Sequence, residues 1–98
     1  MQAPNVEVQH DEAVRRFTAT RDGHTGFMSY RRDHGSMVFL HTEVPPELEG
    51  HGVGGALVRA GLDYARSLGL HIVPLCPFVR AWIERHPEYK KDVKSAEA

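Results

Sequence analysis

Residues 44–57 read VPPELEGHGVGGAL, with four glycines inside the six positions 50–55. Glycine permits tight turns and lets a ligand approach the backbone closely. The apolar residues that follow recur at helical spacing, so the glycines stand directly before the first turn of a predicted helix. The free N–H groups of that turn and the positive end of the helix dipole favour a phosphate. The stretch therefore predicts a phosphate-binding loop. A plain strand-to-helix turn is the alternative, and it would need only one or two glycines.

The helix after this loop is predicted over residues 53–68. Its apolar positions, at helical spacing, are Val53, Ala56, Leu57, Ala60, Tyr64 and Leu68. The opposite, wet stripe is formed by Arg59, Asp63, Arg66 and Ser67. Gly69 stands where a helix end favours a left-handed residue. We therefore expect one face of this helix to pack on a core.

The segments around the helix have the character of strands. Before it, strand-forming patterns occur at Val6 and Val8 and over 13–20, 26–30 and 37–44, separated by turn signals at 21–24 and 33–35. After it, 70–75 is a short apolar strand, and Pro77 begins a last helix that Pro87 ends. On that helix Val79, Trp82 and Ile83 are expected to face the core.

A helical crossover between two strands implies a parallel pair with a right-handed connection. Strands 37–44 and 70–75 are therefore predicted to be parallel neighbours. Pro74 cannot donate to a ladder, so these strands are expected to part towards Val44 and Leu75 and to leave a cleft. The predicted fold class is α+β: a twisted mixed sheet with antiparallel strands first, a parallel strand-helix-strand unit next and a C-terminal helix. One domain is predicted over residues 1–98.

Composition excludes several partner classes. Twelve Lys and Arg against thirteen Asp and Glu give a formal net charge of -1, without the basic surface that nucleic acid or an acidic membrane requires. No apolar run approaches the roughly 20 residues of a membrane span. The single cysteine suits a reducing compartment, so a cytoplasmic protein is expected. We also expect a monomer or a weak homodimer. The seven histidines lack metal-ligand spacing, and no metal site is predicted.

Two familiar phosphate loops do not fit the glycine run. Gly50, Gly52 and Gly55 match the spacing of a dinucleotide fingerprint. However, residues 44–49 intervene between strand and glycines, and no acidic ribose ligand follows about 20 residues later. The Gly-Lys-Ser/Thr ending of a nucleotide-triphosphate loop is also missing.

The run instead resembles the pyrophosphate-binding motif of the GNAT acetyltransferase superfamily, Gln/Arg-x-x-Gly-x-Gly/Ala, between the fourth strand and a long helix. Gly52 and Gly54 match its glycines, whereas Glu49 stands at the Gln/Arg position and removes one favourable charge. The segments VPLCPFV at 73–79 and RHPEY at 85–89 are similar to the short branch of that superfamily. The resemblance covers roughly residues 37–89, and the N-terminal strands agree with it only in type. This short branch lacks the helices that cover the acceptor in longer members.

The resemblance implies acetyl-coenzyme A as co-substrate and an amine as acceptor. The residues expected to hold acetyl-coenzyme A are Val44, Glu49, Gly50, His51, Gly52, Val53, Gly54 and Gly55. Backbone N–H groups at 50–55 would bind the pyrophosphate, and the pantetheine arm would lie in the cleft beside residues 43–45.

Three residues are candidates for catalysis. Cys76 lies between a strand end and a proline-initiated helix, where the dipole favours a thiolate. It would be a nucleophile or a proton donor to departing coenzyme A, or simply a buried packing residue. His41 is expected to accept a proton from the incoming ammonium, and a hydrogen-bonded interior position beside Phe39 is the alternative. Glu43, two residues along the same strand face, would orient His41 or hold the amine, or be a surface charge.

Tyr89 is a further proton-donor candidate, because many GNAT enzymes use a tyrosine. Three functions are therefore open: direct acetylation of an amine; a Cys76-dependent acyl-enzyme or thioester hydrolase with His41 as activator; and a non-catalytic acyl-coenzyme A binding or sensing module.

Overall fold

The computed structural model describes residues 6–94. Five strands form one sheet in the order β1-β2-β3-β4-β5. The strands are β1 (Val8–Asp11), β2 (Arg16–Arg21), β3 (His24–Asp33), β4 (Ser36–Glu43) and β5 (His71–Pro74). The helices are α1 (Val53–Ser67) and α2 (Pro77–Arg85), with 3-10 helices at Pro46–Leu48 and Pro87–Asp92.

The first four strands pair antiparallel with their chain neighbours, and β4 pairs parallel with β5. The predicted mixed sheet, with a strand-helix-strand unit at its parallel end, is therefore confirmed. Both predicted turns are present. Asp22 and Gly23 have φ of 53° and 80°, which suits a tight β2–β3 hairpin, and Gly35 has φ 67° between β3 and β4.

Several strand boundaries differ from the prediction. β2 begins at Arg16 rather than at Ala13, because Arg15 has φ 59° and its N–H donates to the Glu12 carbonyl in a turn. Val14, which made this stretch look like a strand, is 59% exposed. β3 is longer than residues 26–30, β5 is shorter than 70–75, and Val6 precedes β1.

The buried face of α1 is only partly the predicted one. Its buried residues are Val53, Leu57, Val58, Gly61, Leu62 and Ala65, whereas Leu68 is 45% exposed. The wet stripe is as predicted, because Arg59, Asp63, Arg66 and Ser67 are all exposed. Gly61 explains the rotated face: a Cβ there would lie 2.9 Å from Phe39 Cε1, so the helix sits too close to the sheet for any side chain at that position.

Both helix boundaries that glycine and proline predicted are confirmed. Gly69 has φ 70° after α1, and the Leu70 N–H donates to the Ala65 carbonyl across it. Pro77 is the first residue of α2. Val79, Trp82 and Ile83 are buried on that helix, as expected.

The main core cluster lies on one face of the sheet. Side chains of that face pack with α1 and α2, and its buried members are Phe17, Ala19, Met28, Tyr30, Met37 and Phe39. Within residues 6–94, no helix covers the opposite face. On that face Val38 and Val73 are buried, whereas Arg16, His41 and Glu43 are exposed and accessible to a molecule from solution.

Candidate functional site

β4 contains a β-bulge beside the predicted cleft. Tyr30 pairs with Phe39 and Ser29 pairs with His41, so Leu40 is an extra residue opposite the regular β3 strand. Pairing of β4 with β5 stops at Phe39 and Pro74. β4 nevertheless continues to Glu43, so its last four residues have no partner in β5. The pairing therefore ends at Pro74, where the strands were predicted to part, and we call the unpaired stretch of β4, residues 40–43, the gap.

The glycine loop leads from the end of β4 into α1. Leu48 is buried and anchors the 3-10 helix, and the His51 N–H donates to its carbonyl. Gly50 and Gly52 both have left-handed backbone, with φ of 83° and 79°. Gly52 is the N-cap of α1, and no side chain caps that end. The first N–H groups of α1 are therefore free of a side-chain partner, as an anion site requires.

Gly54 and Gly55 have packing reasons to be glycine. A Cβ on Gly54 would lie 2.7 Å from Phe78 Cζ and 3.5 Å from a Val44 methyl. A Cβ on Gly55 would lie 3.3 Å from Trp82 Nε1. These two glycines thus let the first turn of α1 approach α2 closely. A phosphate site here consequently depends on the uncapped helix end at Gly52 more than on the number of glycines.

The other residues predicted to hold the cofactor differ in accessibility. Glu49 and His51 are exposed on the loop, Val44 is half-buried, and Val53 is buried. Val53 is therefore a core residue whose side chain is not available to a ligand, although its N–H belongs to the first turn of α1.

Cys76 lies at the junction of β5, β4 and α2. It is the N-cap of α2 and is 3% exposed. Its N–H donates to the Phe39 carbonyl, and its Sγ lies 3.5 Å from Thr42 Oγ1. The thiol thus faces the part of β4 that has no β5 partner, although it is buried.

His41 and Glu43 project from the face of β4 opposite to the one from which Thr42 contacts Cys76. Side chains directly opposite on paired strands share a face, and His41 and Glu43 pair with Ser29 and Phe27. His41 Nε2 lies 3.6 Å from Glu43 Oε1, and the two side chains are 61% and 63% exposed. The interior alternative for His41 is wrong, because the bulge at Leu40 turns it away from the face of Phe39.

Tyr89 is held by contacts away from the gap. Its hydroxyl donates to Asp63 Oδ1 at 2.6 Å and accepts from Arg59 Nη1 at 3.4 Å. Burial and the bond to Asp63 raise the pKa of Tyr89. Asp63 is ten residues after Val53, roughly 15 Å along α1 from the glycine loop. The geometry thus favours a structural role for this tyrosine.

Four residues near the gap were not predicted from the sequence. Thr42 contacts Cys76, Phe78 covers Gly54, and Arg16 lies over the ring of Phe27. Thr42 could have been found from the sequence, since it stands between the two candidate residues His41 and Glu43. The Arg16–Phe27 contact could not have been found from the sequence, because it depends on the register of β2 and β3.

Neither a metal cluster nor a membrane span is found within residues 6–94. No group of three or more His, Cys, Asp or Glu side chains could hold a metal ion there. Over the same part of the chain, neither helix has the length and apolar character to cross a membrane.

Comparison with known proteins agrees with this geometry. Residues 16–93 match the family model of the GCN5-related N-acetyltransferases, so the chain belongs to that family. The fold is similar to the solution structure of a GCN5-like protein of Staphylococcus aureus proposed to be an N-acetyltransferase. The TM-score is 0.71 at 28% identity, and the match covers 93% of this chain and 90% of that one. A search of the curated proteins found no match.

Proposed function

We propose that this protein binds acetyl-coenzyme A at the uncapped N-terminus of α1 and transfers the acetyl group directly to an amine. One observation carries the proposal: β4 extends four residues beyond its last pair with β5, and this unpaired stretch adjoins the glycine loop. The pyrophosphate would accept N–H bonds from the first turn of α1. The pantetheine arm would then lie beside Glu43, Val44 and Pro45, with its thioester in the gap.

The residues around the gap have chemistry suited to the transfer. On the helix-free face, His41 takes a proton from the ammonium of the acceptor, and Glu43 holds the ammonium or the imidazole. The freed amine attacks the thioester carbonyl, a C–N bond forms, the C–S bond breaks, and the second proton that leaves the nitrogen passes to solvent. The departing thiolate takes a proton from Cys76, which solvent then restores.

Direct transfer fits better than an acyl-enzyme at Cys76. Activation of that thiol as a nucleophile needs a base beside it. Cys76 contacts Thr42, whereas His41 contacts Glu43 on the opposite face of β4. Incubation with acetyl-coenzyme A and no acceptor, followed by mass spectrometry, separates the two mechanisms, because only the acyl-enzyme leaves Cys76 acetylated.

The cofactor site is tested by thermal denaturation. Acetyl-coenzyme A should raise the Tm by several degrees, because only the folded chain binds it. Gly52→Glu should abolish the rise by placing a carboxylate at the anion site. Gly35→Glu is the matched control, since Gly35 has the same left-handed backbone and a Cβ there would meet no heavy atom within 4 Å. It should lower the Tm yet keep the rise.

If acetyl-coenzyme A raised the Tm of folded Gly52→Glu as much as that of the wild-type protein, the glycine loop would not be part of the cofactor site. A clear rise in the wild-type protein without acetyl transfer to any amine would instead favour the binding or sensing module.

A further inference from the structure

The helix-free face carries a compact group of side chains directly beside the gap. We call Arg16, Phe27, His41 and Glu43 the Arg16 patch. Phe27 pairs with Glu43 across β3 and β4, while Arg16 and His41 both pair with Ser29 from its two sides. All four therefore lie on one face, at the end of β4 where the strand has lost its β5 neighbour.

Arg16 reaches from β2 to the ring of Phe27 on β3. Its guanidinium carbon lies 4.0 Å from the centroid of the Phe27 ring. Asp11 is its cross-strand partner, yet within residues 6–94 Arg16 forms neither an ion pair nor a side-chain hydrogen bond. Stacking on an aromatic ring leaves the donors at the guanidinium edge free, in the fork geometry that suits a carboxylate.

The other end of the Arg16 patch suits a cation rather than an anion. The His41 ring centroid lies 5.9 Å from that of Phe27, and Glu43 Oε1 is 3.6 Å from His41 Nε2. A carboxylate beside an imidazole suits an ammonium that must lose a proton. A cationic anchor and an acidic anchor thus share one aromatic ring between them.

From this arrangement we propose that the acceptor is a small amine that also carries a carboxylate. Its ammonium lies at His41 and Glu43, its carboxylate accepts two bonds from Arg16, and its carbon chain runs beside the Phe27 ring. The acceptor arrives from this face because α1 and α2 occupy the other one. This proposal rests on the proposed acetyl transfer, and it assigns Arg16 as the specificity-determining residue.

The kinetic test compares short ω-amino carboxylates, from glycine to 6-aminohexanoate, with their carboxamides. The wild-type protein should prefer the best carboxylate over its amide by about tenfold in kcat/KM, as a charge-assisted bidentate contact provides. Arg16→Met should remove that preference by raising KM for the carboxylate alone. Arg31→Met, the same change on the same face where β3 pairs with Val38, should retain the preference.

A binding test keeps the two proposals separable. Amide chemical shifts are followed by NMR as each carboxylate or carboxamide is added, with and without coenzyme A. Shifts at Arg16, Phe27 and His41 that only carboxylates cause, and that Arg16→Met abolishes, support the patch even if no acetyl transfer occurs. Equal response to carboxylates and amides, or an equal loss for both in Arg16→Met, overturns the patch while leaving acetyl transfer untouched.

Discussion

At the scale of the residue, Cys76 combines a helix N-terminal position with burial. A cysteine at a helix N-terminus suggests a reactive thiol, but this one is 3% exposed and contacts Thr42. Iodoacetamide should therefore modify it slowly in the ligand-free folded protein. The contact with Thr42 nevertheless places the thiol beside the part of β4 where the thioester is proposed to lie, which suits a proton donor better than a nucleophile.

Replacement of this thiol separates a role as proton donor from a role in packing. Cys76→Ala should lower kcat by about a hundredfold, the lower end of what a general acid contributes, because a thiolate is a good leaving group. The acetyl-coenzyme A-induced rise in Tm should persist, since the glycine loop does not use this side chain. Turnover is measured per folded molecule, with the folded fraction taken from circular dichroism. Unchanged turnover would return Cys76 to a packing role.

At the scale of the element, β1 depends on a histidine at the edge of the core. The His10 ring stacks on Phe17 with centroids 4.0 Å apart, and its Nε2 lies 2.6 Å from the Tyr30 hydroxyl. Burial lowers the pKa of His10, although the carboxylates of Glu12 and Asp11 oppose the effect. The neutral ring can accept the hydroxyl proton of Tyr30, so it is the form that the folded chain favours.

This gives β1 a pH dependence with a defined sign. Because the pKa of His10 is lower in the folded state, the unfolded chain binds the proton more readily below about pH 6.5, and the free energy of unfolding falls as pH decreases. His10→Gln should flatten that decline in urea titrations between pH 7.5 and 5. His34→Gln, at an imidazole 95% exposed, is the control and should keep the wild-type slope. An equally steep decline in His10→Gln would contradict this account.

At the scale of the whole molecule, the C-terminal segment closes the structure onto both helix and sheet. Tyr89 donates to Asp63 of α1, Arg66 pairs with Asp92, and the Lys94 N–H donates to the Ile72 carbonyl of β5. This segment therefore covers the outer edge of β5 and ties it to α1. Its tyrosine serves the stability of the fold at a distance from the gap.

Tyr89→Phe tests whether this tyrosine serves the stability of the fold rather than catalysis. The loss of the hydrogen bond to Asp63 and of the long one from Arg59 should reduce the free energy of unfolding by about 1 kcal/mol, because the exposed Asp63 and Arg59 can be hydrated instead. The response of Tm to acetyl-coenzyme A and the turnover per folded molecule should stay at wild-type values. Urea denaturation and an acetyl-transfer assay measure the two effects. A large loss of turnover without loss of stability would identify Tyr89 as a proton donor after all.

Features that depend on neighbours along the chain were readable from the sequence. Gly52 before α1, Gly69 after it and Pro77 at the start of α2 each have a local backbone reason for their position. The helical crossover likewise implied the parallel pair, and Pro74 implied its early end. These preferences act within a few residues, so they identify the mixed sheet and a glycine loop before a helix without any knowledge of packing.

Only the tertiary structure decided which side chains meet around the gap. Strict alternation along β4 would place His41 on the face of Phe39, but the bulge at Leu40 moves it to the open face and sends Thr42 to Cys76. Arg16 reaches Phe27 for a similar reason, since register between strands sets that contact. A single inserted residue reverses every face beyond it, and its position depends on pairing with β3, which no local preference along β4 specifies.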